Sequence, residues 1–218
     1  MKRLQMAPEE ADIVDLTHAA EGVARIDGKA VFVADSLPGE RVVLRRTHRQ
    51  RKLDYAITEQ VLRASPDRVQ PKCPHFGLCG GCALQHLSPD AQLAFKQSQL
   101  TENLSRLGAV QAELLLEPLR GPVWNYRRRA RLGIKLVPRK GKVLVGFRER
   151  SSPYVADLHE CHVLVEPVGA LITPLGQMVE SLTIASRVPQ AEVAVSDDIV
   201  VLVLRVLDPP APAEGIIE

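Results

Sequence analysis

Aromatic side chains are scarce, at 4% of 218 residues, so a core here must be built from Leu, Val, Ile and Ala. No stretch approaches the run of about 18 apolar residues that spans a bilayer. The first residues are equally uninformative as a leader. Lys2 and Arg3 are followed by Gln5, Glu9, Glu10 and Asp12 rather than by the apolar core of a signal sequence. A cytoplasmic location is the expectation, and with it reduced thiols instead of disulfides. Cysteine itself is limited to four residues, and there are no internal repeats.

What is present is a normal globular composition, 45% hydrophobic and 25% charged, with an uneven charge distribution. Residues 1–150 hold 26 basic and 16 acidic side chains, a balance of +10, whereas residues 151–218 hold 2 and 10, a balance of −8. The overall charge of +2 therefore conceals a basic object that favours polyanions, since phosphate contacts release counterions.

The pattern predicts an α+β chain. From Asp12 to Arg63, short β-prone runs (Ile13–Leu16, Val31–Val33, Val42–Leu44, Ala56–Leu62) alternate with turn signals at Gly22, Asp27-Gly28 and Pro38-Gly39. About five short strands in roughly 50 residues imply a small OB-like barrel. A helix is expected from a Ser88 cap and Pro89 to Gly108, with Leu93, Leu100, Leu104 and Leu107 on one face. Ala130–Val137 and Val143–Phe147 read as a hairpin, as do Ala191–Val195 and Ile199–Val206. Val168–Leu182 has helical spacing, with Pro174 predicting a kink or a split. The expected division is a tail at 1–10, a barrel at 11–66, a cysteine-rich metal loop at 67–88, a mixed α/β central domain at 89–207, and a frayed or truncated tail at 208–218.

The most specific motif is Cys73-x5-Cys79-x2-Cys82 with Cys161 far downstream. Gly80 and Gly81 let backbone N–H groups approach sulfur closely. Four thiolates suit a tetrahedral zinc ion or a 4Fe–4S cluster. One compact triplet plus one remote cysteine favours the cluster, with zinc as the alternative. His75, His86, His159 and His162 lie near these cysteines and are expected to be structural.

Two basic segments are candidate RNA contacts. Arg41, Arg45, Arg46, Arg49, Arg51 and Lys52 fall in a stretch free of acids. A second segment starts at Trp124-Asn125-Tyr126-Arg127-Arg128-Arg129-Ala130-Arg131; residues 127–150 carry ten basic side chains and one acid, Glu149. On a strand, Arg129 and Arg131 share one face and Ala130 and Leu132 the other. The residues expected to touch RNA are Arg45, Arg46, Arg49, Arg51, Lys52, Tyr126, Arg127, Arg129, Arg131 and Arg148, because guanidinium groups suit phosphate and stack on bases.

These motifs resemble a known family. Cys73-Pro-His-Phe-Gly-Leu-Cys-Gly-Gly-Cys-Ala-Leu-Gln-His-Leu, Tyr126-Arg-Arg-Arg-Ala-Arg, Gly146-Phe-Arg-Glu-Arg-Ser and Asp157-Leu-His-Glu-Cys-His-Val-Leu are similar to the N-terminal portion of the RlmD-type 23S rRNA uracil-5-methyltransferases, of the RumA/TrmA-like family. Gly22–Arg41 looks like the RNA-binding TRAM barrel. The resemblance covers roughly residues 12–206. It implies a barrel, a central domain bearing a 4Fe–4S cluster on Cys73, Cys79, Cys82 and Cys161, and a C-terminal S-adenosylmethionine domain whose cysteine attacks carbon 6 of the uracil. The implied partner is 23S ribosomal RNA, bound by a monomer without membrane association. No two of the 14 glycines have Gly-x-Gly spacing, and no cysteine is left over as a nucleophile. His162 stands where the family usually has Pro. The expectation is thus the RNA-recognition and cluster-bearing half of such an enzyme, with no catalytic residue and its catalytic domain absent. The alternative is a stand-alone RNA-binding module with a structural iron–sulfur or zinc site.

Overall fold

A computed structural model describes residues 7–212, and its chain divides into two compact units. Unit 1 takes residues 7–71 and 83–119 of the described chain; unit 2 takes 72–82 and 120–212. The expected loop at 67–88 is therefore shared between them, and the helix after Ser88 groups with the first.

Unit 1 holds β1 (Glu9–Asp12), β2 (Asp15–Leu16), β3 (Gly22–Ile26), β4 (Lys29–Ala34), β5 (Arg41–Arg49) and β6 (Leu53–Arg63), in the order β1-β5-β6-β4-β3-β2. β1 and β2 follow one another in the chain yet stand at opposite ends of that order, so the sheet curls round on itself as a barrel. The β4–β6 pair is parallel and the other pairs are antiparallel. Alternation is visible in β5, where Val42, Leu44 and Arg46 point inward between more exposed neighbours. Val31, Val33, Val42 and Leu44 are wholly buried together with Ala24. Asp27 (φ 52°) and Gly28 (φ 76°) form the two-residue β3–β4 turn, both in the left-handed region that a tight hairpin matching strand twist requires. The expected tail at 1–10 gives way at Glu9, where β1 begins; residues 1–6 lie outside the described chain.

Helix α1 (Pro89–Arg106) starts as expected, with the Ser88 hydroxyl accepting the Ala91 N–H at 3.4 Å. Its expected apolar face is not covered within the unit. Ala91 and Phe95 pack beside Leu16, Leu37 and Leu87, but Leu100 and Leu107 are exposed and no residue of the helix is fully buried.

Unit 2 is built on β7 (Arg129–Val137), β8 (Lys142–Gly146), β9 (Gln190–Val195) and β10 (Val200–Arg205), ordered β10-β9-β7-β8 and antiparallel throughout. Helix α2 (Ile172–Glu180) packs on β8, and Gly176 permits the approach, since a Cβ there would stand 3.1 Å from the Val143 carbonyl. The mixed α/β expectation for this region is narrowed to an antiparallel sheet with one helical crossover: every strand pair among its described residues is antiparallel, and α2 lies on the connection that carries the chain from β8 past β7 to β9. Pro174 does not kink a long helix. Its segment divides at Leu171 into a 3-10 turn (Val168–Ala170) and α2, leaving the proline in the first turn, where it has no N–H to lose. The expected frayed end is tethered at Asp208, which accepts from Arg187 at 2.6 Å; residues 213–218 lie outside the described chain.

Candidate nucleic-acid interface and cysteine site

The cysteine loop is ordered by backbone hydrogen bonds. The Cys79 N–H donates to the His75 carbonyl at 2.9 Å, Gly80 N–H to Arg148 O at 2.9 Å, and Arg150 N–H to Leu78 O at 2.8 Å. A Cβ on Gly80 would meet that same Arg148 oxygen at 3.0 Å, so glycine is what permits the docking. His75 is buried and ties the loop to the segment before Cys161, its Nε2 accepting the His159 N–H at 3.1 Å. Cys161 is held by its own N–H, which donates to Gly169 O at 3.0 Å.

All four cysteines belong to unit 2 and are free thiols; Cys79 and Cys161 are buried, Cys73 and Cys82 half-buried. Burial pushes the Cys73, Cys79 and Cys161 thiols up, and the charges of the neighbouring cysteines add to this. Backbone N–H groups work the other way: His75 serves Cys73, Gly81 serves Cys79 at 3.4 Å, and Val163 and Leu164 serve Cys161. Among the described residues no three His, Cys, Asp or Glu side chains gather closely enough to hold a single metal ion.

The arginine motif lies against the same region. Asn125 N–H donates to His162 O at 2.9 Å and Arg127 N–H to Val163 O at 2.8 Å, laying residues 124–127 along 162–165. Arg127 stacks over Phe147 at 5.0 Å and donates to the Arg129 carbonyl. Tyr126 is 53% exposed, and its phenol is pushed up by partial burial and by the nearby Cys82 charge. Trp124 is half-buried against the core, with Lys72 over its ring at 5.3 Å. Along β7, Arg129, Arg131 and Lys135 are exposed while Ala130, Leu132 and Ile134 are buried, the alternation read from sequence. Arg131 is partnered by Glu192 at 3.1 Å, whereas Arg129 and the exposed Arg148 have no acidic partner among the described residues.

The barrel's basic stretch separates into two kinds of cation. Arg46 is 8% exposed and clamped between Glu9 and Asp54, so its guanidinium is unavailable to phosphate. Arg45 pairs with Glu59, and Arg41 with Glu10 and Asp12. Arg49, Arg51 and Lys52, at the β5–β6 turn, are exposed and free of acidic partners among the described residues. Sequence reading missed the buried anions. Burial alone would raise the Asp54 carboxyl, yet hydrogen bonds from Lys29 at 2.6 Å, Arg46 and the Gln50 N–H hold it below the usual carboxylate range. Glu40, wholly buried, is likewise lowered against burial by Arg68 and by the Leu37 and Ser65 N–H groups. Glu40 lies next to Pro38-Gly39 but pairs with Arg68, too distant in sequence for any local pattern to reveal.

Comparison with known proteins follows the same division. Residues 8–45 match the TRAM domain family. The chain is 48% identical over 213 residues to the 23S rRNA (uracil(1939)-C(5))-methyltransferase RlmD of Alkalilimnicola ehrlichii, covering 98% of this chain and 48% of the relative. It is 50% identical over 198 residues to the protein of the same name from Bordetella pertussis, covering 91% and 42%. Among solved structures, the Pyrococcus abyssi tRNA (uracil-54, C5)-methyltransferase in complex with S-adenosyl-L-homocysteine aligns with 94% of this chain and 48% of its own at a TM-score of 0.65 and 22% identity, a likeness of fold.

These matches overturn the expectation of a recognition half defined by a missing catalytic domain, and with it the stand-alone module. What aligns with nearly the whole chain is a methyltransferase polypeptide, and the extent of this chain is no measure of the protein's domain content. No helix among the described residues is long and apolar enough to cross a membrane. By sequence this chain is similar to the 23S rRNA uracil-C5-methyltransferases, about half of whose length it spans, and it carries a TRAM domain.

Proposed function

We propose that this protein acts in the C5 methylation of a uracil in 23S ribosomal RNA, using S-adenosylmethionine, and that the residues described here bind and position the RNA. The observation carrying this reading is the 48–50% identity, over 91–98% of the chain, to proteins so named. The exposed cations support it. Arg49, Arg51 and Lys52 on the barrel and Arg129 and Arg148 on the second unit are solvent-facing without acidic partners among the described residues, as phosphate contacts must be. Tyr126, exposed on the second unit, offers a ring on which an unstacked base can rest. Deleting the gene and quantifying nucleosides of 23S rRNA by mass spectrometry tests the reading. Loss of one 5-methyluridine, restored by the intact gene, is expected; an unchanged 5-methyluridine content would overturn it.

Within this reading, Cys73, Cys79, Cys82 and Cys161 hold a 4Fe–4S cluster. The donor set suits it: four thiols, with N–H groups directed at three of the sulfurs. The cluster would supply a covalent tie between the 73–82 loop and the Cys161 segment, a loop with too few apolar residues to order itself. Its RNA-facing neighbours, Tyr126 and Arg127, are positioned by the same strand contacts. Oxygen-free purification followed by iron and sulfide analysis is the check. Cys79→Ser is expected to lose the iron and much of the soluble yield; zinc without iron in the parent protein would contradict the cluster.

A further inference from the structure

The barrel of unit 1 carries its aromatic rings on the outside. Between Glu9 and Arg63 the chain has two residues of the Phe, Trp and Tyr types, Phe32 on β4 and Tyr55 on β6. In a protein this poor in aromatics, large rings belong in the core, where they bury the most apolar area. Neither ring is there. The barrel core is built on Ala24, Val31, Val33, Val42, Leu44 and Ala56, and Phe32 and Tyr55, each half-buried, lie outside it. Register is the reason. Phe32 stands opposite Tyr55 across the parallel β4–β6 pair, and His48 stands opposite Tyr55 across the β5–β6 pair. The three therefore share one row on the outer face, while Val31, Val33, Asp54 and Ala56 beside them are buried. The rings are neighbours: Phe32 and Tyr55 meet edge to face with centroids 5.9 Å apart at 81°, and His48 is tilted by 40° from Tyr55 at 6.4 Å. Cations border the row. Arg25 is two residues along β3 from Val23, the residue opposite Phe32, and Arg49, Arg51 and Lys52 follow His48 through the β5–β6 turn. All four are exposed and without acidic partners among the described residues.

Resting on the reading of this protein as one that acts on 23S rRNA, we infer that Phe32, Tyr55 and His48 form a stacking platform for unpaired nucleotides of that RNA. Its phosphates are met by Arg25 at the β3 side and by Arg49, Arg51 and Lys52 at the β5–β6 turn. Aromatic faces bordered by cations hold single strands, because every base has a π-face and every nucleotide a phosphate. A duplex presents phosphates but keeps its base faces stacked, so this row separates unpaired from paired RNA, which cations alone would not do. A cross-strand aromatic pair also stiffens a sheet, and the two roles differ in what they require of the RNA.

Photocrosslinking of the parent protein to a single-stranded 23S rRNA segment, with 5-iodouridine in place of uridine, tests the platform. Mass spectrometry is expected to place crosslinks on Phe32, Tyr55 or His48, lost on adding unlabelled single strand and kept on adding a duplex of equal length. Crosslinks confined to other residues would overturn the inference, as would equal competition by the duplex. Tyr55→Leu keeps apolar bulk and removes the ring. It is expected to weaken single-strand affinity roughly tenfold without changing the slope of log K against log salt, since a stacking contact is lost and no phosphate contact. Tyr55→Phe, which keeps a ring, is expected to bind as the parent does. Parent affinity in Tyr55→Leu, with a lowered thermal midpoint alone, would make the pair a purely structural one and overturn the platform. A 23S rRNA that keeps its 5-methyluridine after gene deletion would remove the methyltransferase reading while leaving the barrel crosslinks as they stand, so the two failures are separable.

Discussion

Arg46 and Arg49 lie three residues apart on β5 and have opposite fates. Arg46 is a buried cation whose removal would leave the Asp54 carboxylate, 1% exposed, with Lys29 and the Gln50 N–H. Arg46→Met is expected to lower stability in chemical denaturation by roughly 3 kcal/mol, the usual cost of breaking one side of a buried pair. Arg49→Ala should stay within about 0.5 kcal/mol of the parent, as exposed substitutions do, and act on RNA affinity instead. The same buried anions set an acid limit. Asp54 and Glu40 both have folded-state values below their unfolded ones, so their contribution is complete above about pH 4.5 and is lost as pH falls through the depressed values. Asp54→Asn should flatten the acid arm of a stability–pH curve; an unchanged arm would count against it. None of this was legible locally. Both arginines sit in one acid-free stretch, and Glu9, which closes the Arg46 clamp, lies 37 residues away across the β1–β5 pairing.

Elements were easier to read where the chain's own period or turn chemistry decided them. Asp27-Gly28 announces a two-residue turn because both residues must take positive φ, and β7 shows its two faces because cations and aliphatics alternate along it. The sequence helix from Ser88 was legible at its start, where the cap is local. Its apolar stripe misled, since burial depends on a partner surface that unit 1 does not supply. Gly22 looked like a turn signal and proves to be a packing position. A Cβ there would stand 2.1 Å from the Ser36 hydroxyl and 2.8 Å from Ile13. Gly22→Ala should therefore cost about 1–3 kcal/mol through overpacking, visible as a lower thermal midpoint of the barrel. In the cysteine loop the spacing was readable. The docking of the loop on residues 148–150 was not, because it rests on backbone hydrogen bonds that carry no residue signature.

For the molecule as a whole, the basic first two-thirds of the sequence is not a uniform polyanion surface. Ion pairing within the fold withdraws Arg41, Arg45 and Arg46 on the barrel and Arg131 on the second sheet, leaving a smaller set of free cations. Each free cation that meets a phosphate contributes to the salt dependence of binding, and each withdrawn one does not. The salt dependence of affinity for a single-stranded 23S rRNA segment measures that division directly. The Arg49→Ala, Arg51→Ala double variant is expected to reduce the slope of log K against log salt by about 1.4, two phosphate contacts' worth. The Arg41→Ala, Arg45→Ala double variant is expected to leave that slope unchanged. Equal losses of slope from the two pairs would contradict the division between structural and RNA-facing arginines.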